Sequence, residues 1–277
     1  MALAVKTEKV RGYEVCGPPG MEEETYIPPK IAVREVSKVY TSKNKSFTAL
    51  ENISLEIREN EFISIVGPSG CGKSTLLRML AGLEMPTQGK IWVEGDEVRG
   101  PGADRGMVFQ AYTLFPWLTV ADNIAFGLKL KGVPEIRRRE IVKKYLNLIG
   151  LDRFANSYPK ELSGGMKQRV AIARALANNP SVLLMDEPFG ALDPQTKATM
   201  QELLLDIWRQ ERSTVVFITH DIEEAIFLSR RVYVMQSGPG RIVAEFKIDL
   251  PEQRNNDIKD TEAFINLKRK IVALIRN

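Results

Sequence analysis

A glycine-rich stretch between residues 67 and 75 constrains the fold of this chain more than any other feature. It reads GPSGCGKST and matches the pattern G-x-x-x-x-G-K-[ST], with the strand-like segment EFISIV before it and the helix-like segment STLLRMLAGL after it. Glycines in such a loop let successive N–H groups wrap the phosphates of a nucleotide, and the lysine adds a cation. The alternative is a chance glycine-rich turn. The residues predicted to contact the nucleotide are Gly67, Pro68, Ser69, Gly70, Cys71, Gly72, Lys73, Ser74 and Thr75.

Strand-like and helix-like segments alternate through most of the chain. EFISIV, VLLMDE and STVVFITH are short apolar runs of the kind found in buried parallel strands, and helical patterns separate them. This alternation predicts an α/β fold with a mainly parallel sheet. A β-rich part beginning at residue 31 precedes the glycine-rich loop. The strand-poor, helix-rich stretch from about 111 to 178 is predicted to be an inserted helical subdomain.

The two ends of the chain differ from its middle. Residues 1–30 contain two Pro-Pro pairs and an acidic run with little periodicity, which predicts a flexible N-terminal extension. Residues 251–277 include an apolar stripe with helical spacing, which predicts a C-terminal helical tail. The stripe consists of Phe264, Leu267, Ile271, Leu274 and Ile275.

Composition limits the environment and the partners of the chain. Of 277 residues 44% are apolar, and the net charge of +4 is too small to imply a nucleic-acid partner. No apolar run reaches the ~18–20 residues that span a bilayer, and no secretory signal pattern is expected. A structural disulfide between Cys16 and Cys71 is not expected, because Cys71 lies inside the glycine-rich loop. This fits a reduced, cytoplasmic setting. Cys71 is interpreted as a small loop filler, with a reactive thiol as the alternative.

The run VLLMDE carries two carboxylates at the predicted end of a buried strand. Ligands bind at the carboxyl ends of strands in open α/β sheets, so Asp186 is predicted to hold Mg²⁺ through water, together with the Ser74 hydroxyl. Glu187 follows directly, points elsewhere and can polarise an attacking water. The alternative is an acidic strand end that faces solvent.

A second anion-binding pattern lies in KELSGGMKQRV at 160–170. Ser163 can cap the helix that follows, and Gly164 and Gly165 leave the backbone open to an approaching anion. An ordinary helix cap is the alternative. Two phosphate-binding patterns in one chain require an explanation, which the remaining motifs supply.

Taken together, these motifs resemble the ABC ATPases over roughly residues 31–250. LSGGMKQ resembles the family's signature sequence, and GALD at 190–193 resembles its D-loop. Gln110, after the strand-like GMVF, stands at the Q-loop position, and His220, after STVVFIT, stands at the H-loop position. Tyr40 stands at the A-loop position, where an aromatic ring stacks on adenine. The resemblance implies a P-loop NTPase (RecA-like) core with ATP and Mg²⁺ as cofactors.

Several site roles follow from the resemblance alone. Gln110 would contact Mg²⁺ and the lytic water, and His220 would contact the γ-phosphate. The catalytic set is then Glu187, His220 and Gln110, and the metal set is Ser74, Gln110 and Asp186. The alternatives are a structural histidine at the end of a strand and, for Tyr40, an ordinary aromatic residue at a strand end.

The resemblance also explains the two phosphate-binding patterns. In that family two chains pair head to tail, and each ATP lies between the P-loop of one chain and the signature residues of the other. The residues that would contact the partner's ATP are Ser163, Gly164, Gly165 and Asp193. ATP would therefore hold the dimer together, and hydrolysis to ADP would loosen it.

Other phrases are similar to one branch of the family. LFPWLTV, DEPFGALDPQT and GPGRIVAEFKIDLP are similar to ATPases of nitrate, sulfonate and taurine importers, a branch that includes bicarbonate relatives. The resemblance implies a peripheral subunit on the cytoplasmic face of the inner membrane. Its partners would be a second ABC ATPase subunit, two integral membrane permease subunits and, indirectly, an extracytoplasmic substrate-binding protein. The alternatives are an importer ATPase for another small solute, a soluble ABC ATPase acting on nucleic acid or ribosomes, and a P-loop kinase.

The sequence leaves the role of two surfaces undecided. In AYTLFPWLTVADNIAFGL, which follows Gln110, apolar side chains are predicted to receive the membrane subunits or else to fill the core: Leu114, Phe115, Trp117 and Leu118. A helix opened by Pro134 has a predicted apolar face of Ile141, Tyr145, Leu148 and Ile149. Its basic run, Arg137 to Arg139 with Lys143 and Lys144, is interpreted as a solvated face, with attraction to anionic lipid as the alternative.

Overall fold

The computed structural model describes residues 8–10, 13–15, 28–42 and 45–276. The strands are β1 (Glu8–Val10), β2 (Tyr13–Val15), β3 (Ile31–Ser42), β4 (Lys45–Ile57), β5 (Phe62–Val66), β6 (Gln88–Val93), β7 (Asp96–Glu97), β8 (Arg105–Val108), β9 (Val182–Asp186), β10 (Thr214–Thr219), β11 (Arg231–Gln236) and β12 (Arg241–Lys247). The helices are α1 (Lys73–Leu80), α2 (Val120–Leu130), α3 (Glu135–Leu148), α4 (Gly164–Ala177), α5 (Pro194–Glu211), α6 (Ile222–Leu228) and α7 (Glu262–Arg276).

The predicted flexible extension lies mostly outside the described residues. Within it, β1 and β2 form a short antiparallel pair. Regular structure then continues from residue 31, where the sequence places the start of the β-rich part. The strands β4, β3, β6 and β7 form an antiparallel sheet in that order.

The central sheet confirms the predicted α/β class. Its order is β12-β11-β5-β10-β9-β8, in which every neighbouring pair is parallel except β11 with β12. All residues of β5, β9 and β10 are buried, as their continuous apolar sequences predict for strands covered on both faces. The carboxyl ends of these three strands therefore lie at one edge, side by side.

Alternation along β5 divides the interior into two layers. Phe62 and Val66 pack into a core shared with α2 to α7, whereas Ile63 and Ile65 pack into a core shared with α1 and the antiparallel sheet. Successive side chains of a strand point to opposite faces, so one strand serves both layers. The loop that follows β5 is fixed from two sides by these cores.

The stretch from Phe109 to Ser181, all of it described, contains helices and no strand. The structure differs from the prediction in the apolar face of α3. Its most buried face is Val142, Tyr145, Leu146 and Ile149, while Ile141 and Leu148 are only partly buried. Pro134, predicted as the first helical residue, is the N-cap residue instead, so α3 begins one position later, at Glu135. Apolar residues lie on two adjacent sides of this helix, so helical spacing alone does not decide which side packs inward.

The C-terminal tail is attached to α6 through Arg254. This buried guanidinium donates hydrogen bonds to the carbonyl oxygens of Ile226, Phe227 and Ser229 at 2.8–3.0 Å, where α6 ends. Burial lowers the pKa of Arg254 to about 10, so the group remains charged at neutral pH. A cation at the carboxyl end of a helix satisfies its last carbonyl groups and opposes its dipole.

We expect Arg254→Met to lower the free energy of unfolding by about 2–4 kcal/mol, because the carbonyl groups stay buried without their donor. Urea titration followed by circular dichroism measures the change. Arg241→Met is the matched control, since Arg241 is mostly exposed and pairs with Glu51 at the surface, and it should change stability by less than about 1 kcal/mol. Equal effects of the two substitutions would contradict the capping role.

Candidate active site

The glycine-rich loop connects β5 to α1 and requires its glycines sterically. Gly70 and Gly72 have φ of +79° and +96°, a region that other residues rarely adopt. A Cβ on Gly67 would lie 2.4 Å from the carbonyl oxygen of Met235, and one on Gly72 would lie 2.5 Å from Leu50. The N-cap residue of α1 is Gly72, which has no side chain to accept hydrogen bonds from the first N–H groups of the helix. These N–H groups are therefore available to an anion bound at the loop.

Lys73 is the first residue of α1, and its ammonium group turns back over the loop. Its Nζ donates to the carbonyl oxygens of Gly67 and Pro68 at 2.9 and 3.0 Å. The same nitrogen lies 3.9 Å from Glu187 Oε1. The loop thus holds a buried cation directly beside the carboxylate that the sequence singles out as a base.

Ser74 and Asp186 are brought together across 112 residues of sequence. The Ser74 hydroxyl donates to Asp186 Oδ1 at 2.8 Å, at the carboxyl end of β9. Burial raises the pKa of Asp186, and the hydrogen bond from Ser74 opposes that shift. A hydroxyl and a carboxylate in contact are oxygen donors of the kind that Mg²⁺ takes.

Glu187 follows β9 and faces the end of β10. It has φ of +43°, an uncommon backbone conformation for a residue with a side chain, so the chain turns sharply away from the strand. Its Oε2 lies 2.9 Å from His220 Nδ1, and the His220 side chain is 59% exposed. Because β9 and β10 are parallel neighbours, their carboxyl ends place these two residues together.

Gln110, two residues after β8, lies near the same turn. A Cβ added to Gly190 would lie 3.8 Å from Gln110 Nε2 and 3.9 Å from Glu187 Oε2. The amide and the carboxylate are therefore on the same side of the turn after β9. All three predicted catalytic residues lie around this turn.

Tyr40 lies on β3 beside the start of α1. Burial raises the pKa of its hydroxyl, a hydrogen bond with Glu84 adds to this, and a hydrogen bond with Thr75 opposes it. Lys38 Nζ lies 5.1 Å from the ring centroid, and the residue is 41% exposed. Contact with Thr75 places this partly open aromatic ring next to the glycine-rich loop.

The predicted trans residues form a surface of their own. Ser163 caps α4, accepting a hydrogen bond from the N–H of Met166 at 3.3 Å, as the sequence predicts. A Cβ on Gly165 would lie 2.6 Å from Thr196 Cγ2, and one on Gly164 would lie 2.9 Å from the Tyr112 hydroxyl. Asp193 caps α5 by accepting from the N–H of Thr196 at 3.0 Å. Two helix N-termini, those of α4 and α5, therefore lie side by side.

No hydrogen bond within the described residues joins this surface to the glycine-rich loop of the same chain. Comparison with known proteins identifies the family. A family model described as ABC transporter matches residues 50–190. The chain belongs to the ABC transporter family.

Relatives of this ABC protein align along most of its length. A nitrate import ATP-binding protein from Synechocystis sp. is 52% identical over 252 residues, 89% of this chain and 95% of the relative. An uncharacterized ABC transporter ATP-binding protein from Methanocaldococcus jannaschii is 51% identical, covering 90% and 92%. An aliphatic sulfonates import ATP-binding protein from Bacillus cereus is 45% identical, covering 87% and 94%.

Solved dimeric structures agree with the fold. A dimeric structure of a bacterial ABC transporter cassette is 38% identical with a TM-score of 0.71, covering 80% of this chain and all of that one. A dimeric post-hydrolysis ATP-binding cassette bound to ADP and Pi is 37% identical with a TM-score of 0.70 and the same coverage. The ABC cassette fold predicted from the motifs is confirmed.

An apolar groove lies beside Gln110 in this ABC protein. It has a volume of about 570 Å³ and is lined by Phe109, Thr113, Phe115, Phe126, Leu130 and Arg174, among others. The Phe115 ring contacts Phe126, at a centroid distance of 4.4 Å, and Trp117, at 5.6 Å, both in tilted geometry. Trp117 is 71% exposed, so it does not fill the core, whereas Leu114 packs against the core and Leu118 is half-buried.

Two other questions raised by the sequence are answered by contacts. Most of the basic run on α3 is paired: Arg137 with Glu140, Arg139 with Glu135, and Lys144 with Glu211. The contacts favour a solvated face over lipid attraction.

Cys71 is buried, and burial raises the pKa of its thiol despite the opposing effect of Lys73. A protonated, buried thiol fits the loop-filler interpretation.

Sequence reasoning missed a set of buried and partly buried polar residues behind His220. These are Lys197, Gln201, Thr219, Asp221 and Glu224. The segment IEEAIFL does contain a signal, because Glu224 is a charged residue in a short helix that is otherwise mostly apolar. The structure buries this residue.

No helix in the described part of the chain is long and apolar enough to span a bilayer.

Proposed function

We propose that this chain is the ATP-hydrolysing subunit of an importer for a small anion, with nitrate or an aliphatic sulfonate as the substrate. The observation that carries the proposal is the convergence of Lys73, Asp186, Glu187 and His220 at the carboxyl ends of three adjacent parallel strands. Identity of 52% and 45% to nitrate and sulfonate import proteins supports the class of substrate.

In the proposed complex, the loop amides and Lys73 hold the phosphates of ATP, and Tyr40 stacks on the adenine. Ser74 and Asp186, with Gln110 nearby, have the oxygen donors to hold Mg²⁺. When bound, Mg²⁺ would neutralise charge that develops on the phosphate oxygens. The positively charged loop would keep the nucleotide in one orientation.

Glu187 is proposed to act as the general base. Its carboxylate is held between Lys73 and His220, at 3.9 and 2.9 Å, and its left-handed backbone aims it away from the strand. A water on its open side would lose a proton to the carboxylate as it attacks the γ-phosphate in line. His220 steadies the γ-phosphate, and Gln110 orients the water.

Hydrolysis in this proposal needs a second copy or a related chain. Ser163, Gly164, Gly165 and Asp193 present two helix N-termini, and helix N-termini favour anions. The dimeric cassette structures support pairing of two chains, and the proposed pairing is head to tail. In that arrangement the N-termini close over the γ-phosphate bound to the partner, so ATP joins the two subunits.

The groove beside Gln110 is the proposed docking site for two integral membrane permease subunits. It lies beside Gln110, the proposed contact of the attacking water, and the exposed Trp117 next to its lining residue Phe115 is of the kind that partners cover. Docking would place the chain on the cytoplasmic face of the inner membrane. A substrate-binding protein outside the membrane would then deliver the anion to the permease.

Affinity purification of tagged Glu187→Gln from its native membranes with ATP and Mg²⁺ tests the assembly. We expect a multi-span membrane protein in stoichiometric amount by mass spectrometry. A parallel purification of Lys73→Ala controls for contacts that do not require ATP. Recovery of ribosomal proteins or nucleic acid without a membrane protein would instead support the soluble alternative, and phosphate transfer to an acceptor other than water would support a kinase.

Substrate is tested by growth of the parent cell with the Lys73→Ala allele. Loss of growth on nitrate as nitrogen source, or on an alkanesulfonate as sulfur source, identifies the imported anion. Growth with ammonium and sulfate is the control for general fitness. Unchanged growth on both anions would overturn the proposed substrate class while leaving the ATPase assignment intact.

A further inference from the structure

A polar network with the buried Glu224 at its centre lies directly behind His220. Glu224, on α6, is 2% exposed, and its carboxylate accepts hydrogen bonds from the Thr219 hydroxyl and from Gln201 Nε2, the latter at 3.1 Å. Lys197 Nζ lies 3.4 Å from Glu224 Oε1 and 2.7 Å from Asp221 Oδ2. The network therefore joins three elements: the end of β10, the start of α6 and the first turns of α5.

This network fixes the backbone on both sides of His220. Thr219, just before the histidine, donates to Glu224 and accepts from the N–H of Asp221 at 3.0 Å. Asp221, just after it, caps α6 by accepting from the N–H groups of Glu223 and Glu224 at 2.9 and 3.2 Å. His220 itself is mostly exposed, so its own packing does little to orient it. Its neighbours determine where the ring meets Glu187.

The same lysine connects this strand end to the trans surface. Lys197 lies one turn beyond Asp193, the residue that caps α5 and that stands beside Gly165 through Thr196. Its backbone N–H donates to the carbonyl oxygen of Asp193 at 2.9 Å, and its ammonium reaches Asp221. Lys197 thus links the segment of His220, the predicted contact with the chain's own γ-phosphate, to Asp193, a predicted contact with the partner's nucleotide.

The charges in the network balance each other. Burial disfavours the ammonium form of Lys197, yet Glu224 and Asp221 raise its pKa. Burial raises the pKa of Glu224, and Lys197, Thr219 and Gln201 oppose that shift. An uncompensated buried charge is strongly destabilising, so loss of one partner should shift the segment that carries the other.

We propose that Lys197 and Glu224 are positioning residues for ATP hydrolysis, which hold His220 against Glu187 and set α5, with Asp193, in register with it. The proposal rests on the proposed function, since it assigns roles to residues that act through His220 and Asp193. Neither residue is part of the motifs from which the site was predicted. Their contacts are with the backbone and side chains next to the site.

Steady-state ATPase kinetics of Lys197→Met provide the first test. We expect kcat to fall roughly ten-fold or more while KM for ATP changes less than about two-fold, because the phosphate loop and Tyr40 lie on other elements. Lys197→Arg keeps the charge and should recover most of kcat. In a Glu187→Gln background, Lys197→Met should also weaken ATP-dependent dimer formation, measured by sedimentation.

Two further variants separate positioning from general loss of structure. Glu224→Gln keeps the shape and removes the charge, and Lys197→Met with Glu224→Gln leaves no unpaired charge between them. On a His220→Gln background, Lys197→Met should cost less than about three-fold in kcat, because contributions made through one residue are not additive. Full additivity there, or failure of Lys197→Arg to restore kcat, would overturn the proposal.

Failure of this inference is distinguishable from failure of the proposed function. If the parental chain hydrolyses no ATP, the proposed function fails before the variants are compared. If the parental chain is active and Lys197→Met is as active, with unchanged dimer formation, only the positioning role fails. Melting temperatures of all variants, recorded beside the assays, show that each is folded at the assay temperature.

Discussion

Glu187→Gln is expected to lower kcat for ATP hydrolysis about 10²–10⁴-fold, the range associated with loss of a general base. Glutamine has nearly the same shape, so it still fits between Lys73 and His220, but it cannot accept the proton of an attacking water. ATP binding should be retained, because the phosphate loop is unchanged. The variant should therefore accumulate as an ATP-bound dimer, measured by sedimentation with and without ATP.

The matched control is Glu262→Gln, which makes the same chemical change on an exposed residue in the first turn of α7. It should keep parental kcat. If Glu187→Gln hydrolyses ATP at the parental rate, the base has been assigned to the wrong residue. If it neither hydrolyses nor dimerises, Glu187 contributes to nucleotide binding rather than to the chemical step.

Ser163→Asp is expected to abolish ATP-dependent dimer formation and hydrolysis, whereas Ser163→Asn should retain much of both. Aspartate and asparagine are as good as serine at a helix N-cap, so both variants keep the cap of α4. Only aspartate brings a negative charge toward the partner's γ-phosphate. Sedimentation and phosphate release compare the two, and equal loss in both would point to a structural effect instead.

Mixing experiments test whether the phosphate sites are shared between chains. Lys73→Ala lacks the loop cation and Ser163→Asp lacks the trans contact, so each alone should be inactive. Random pairing of equal amounts leaves one intact site in half of the dimers, so activity should return to about a quarter of the parental value if sites act independently. No recovery would contradict the head-to-tail arrangement or show that both sites are needed.

Much of the fold and of the site could be predicted from local sequence. The glycine pattern before α1, the Ser163 cap and the fully apolar strands β5, β9 and β10 each depend on residues within a few positions of one another. Local sequence indicates these features, so they can be predicted without knowledge of the surrounding structure. The motif order along the chain also predicted the family, which the comparisons confirm.

Features set by packing were not readable in this way. The buried side of α3 includes Val142 and Leu146 rather than Ile141 and Leu148, because two apolar sides compete and only the neighbouring helices choose between them. Trp117 could have filled the core or the surface, and the structure exposes it. In the sequence, Lys197 and Glu224 look like ordinary charged residues of helices. Only the packing of α5 against α6 brings their side chains together.

By itself, then, the sequence determined that a nucleotide-binding loop, a buried parallel sheet and a capped signature helix are present in this chain. Only the tertiary structure decided that β9 and β10 are neighbours, which places Glu187 2.9 Å from His220, and that α5 and α6 meet over a partly buried salt bridge. The physical reason is the distance along the chain over which each effect acts. Propensity, capping and glycine conformation act over a few residues, whereas strand order and helix contacts depend on how the whole chain excludes water from its core.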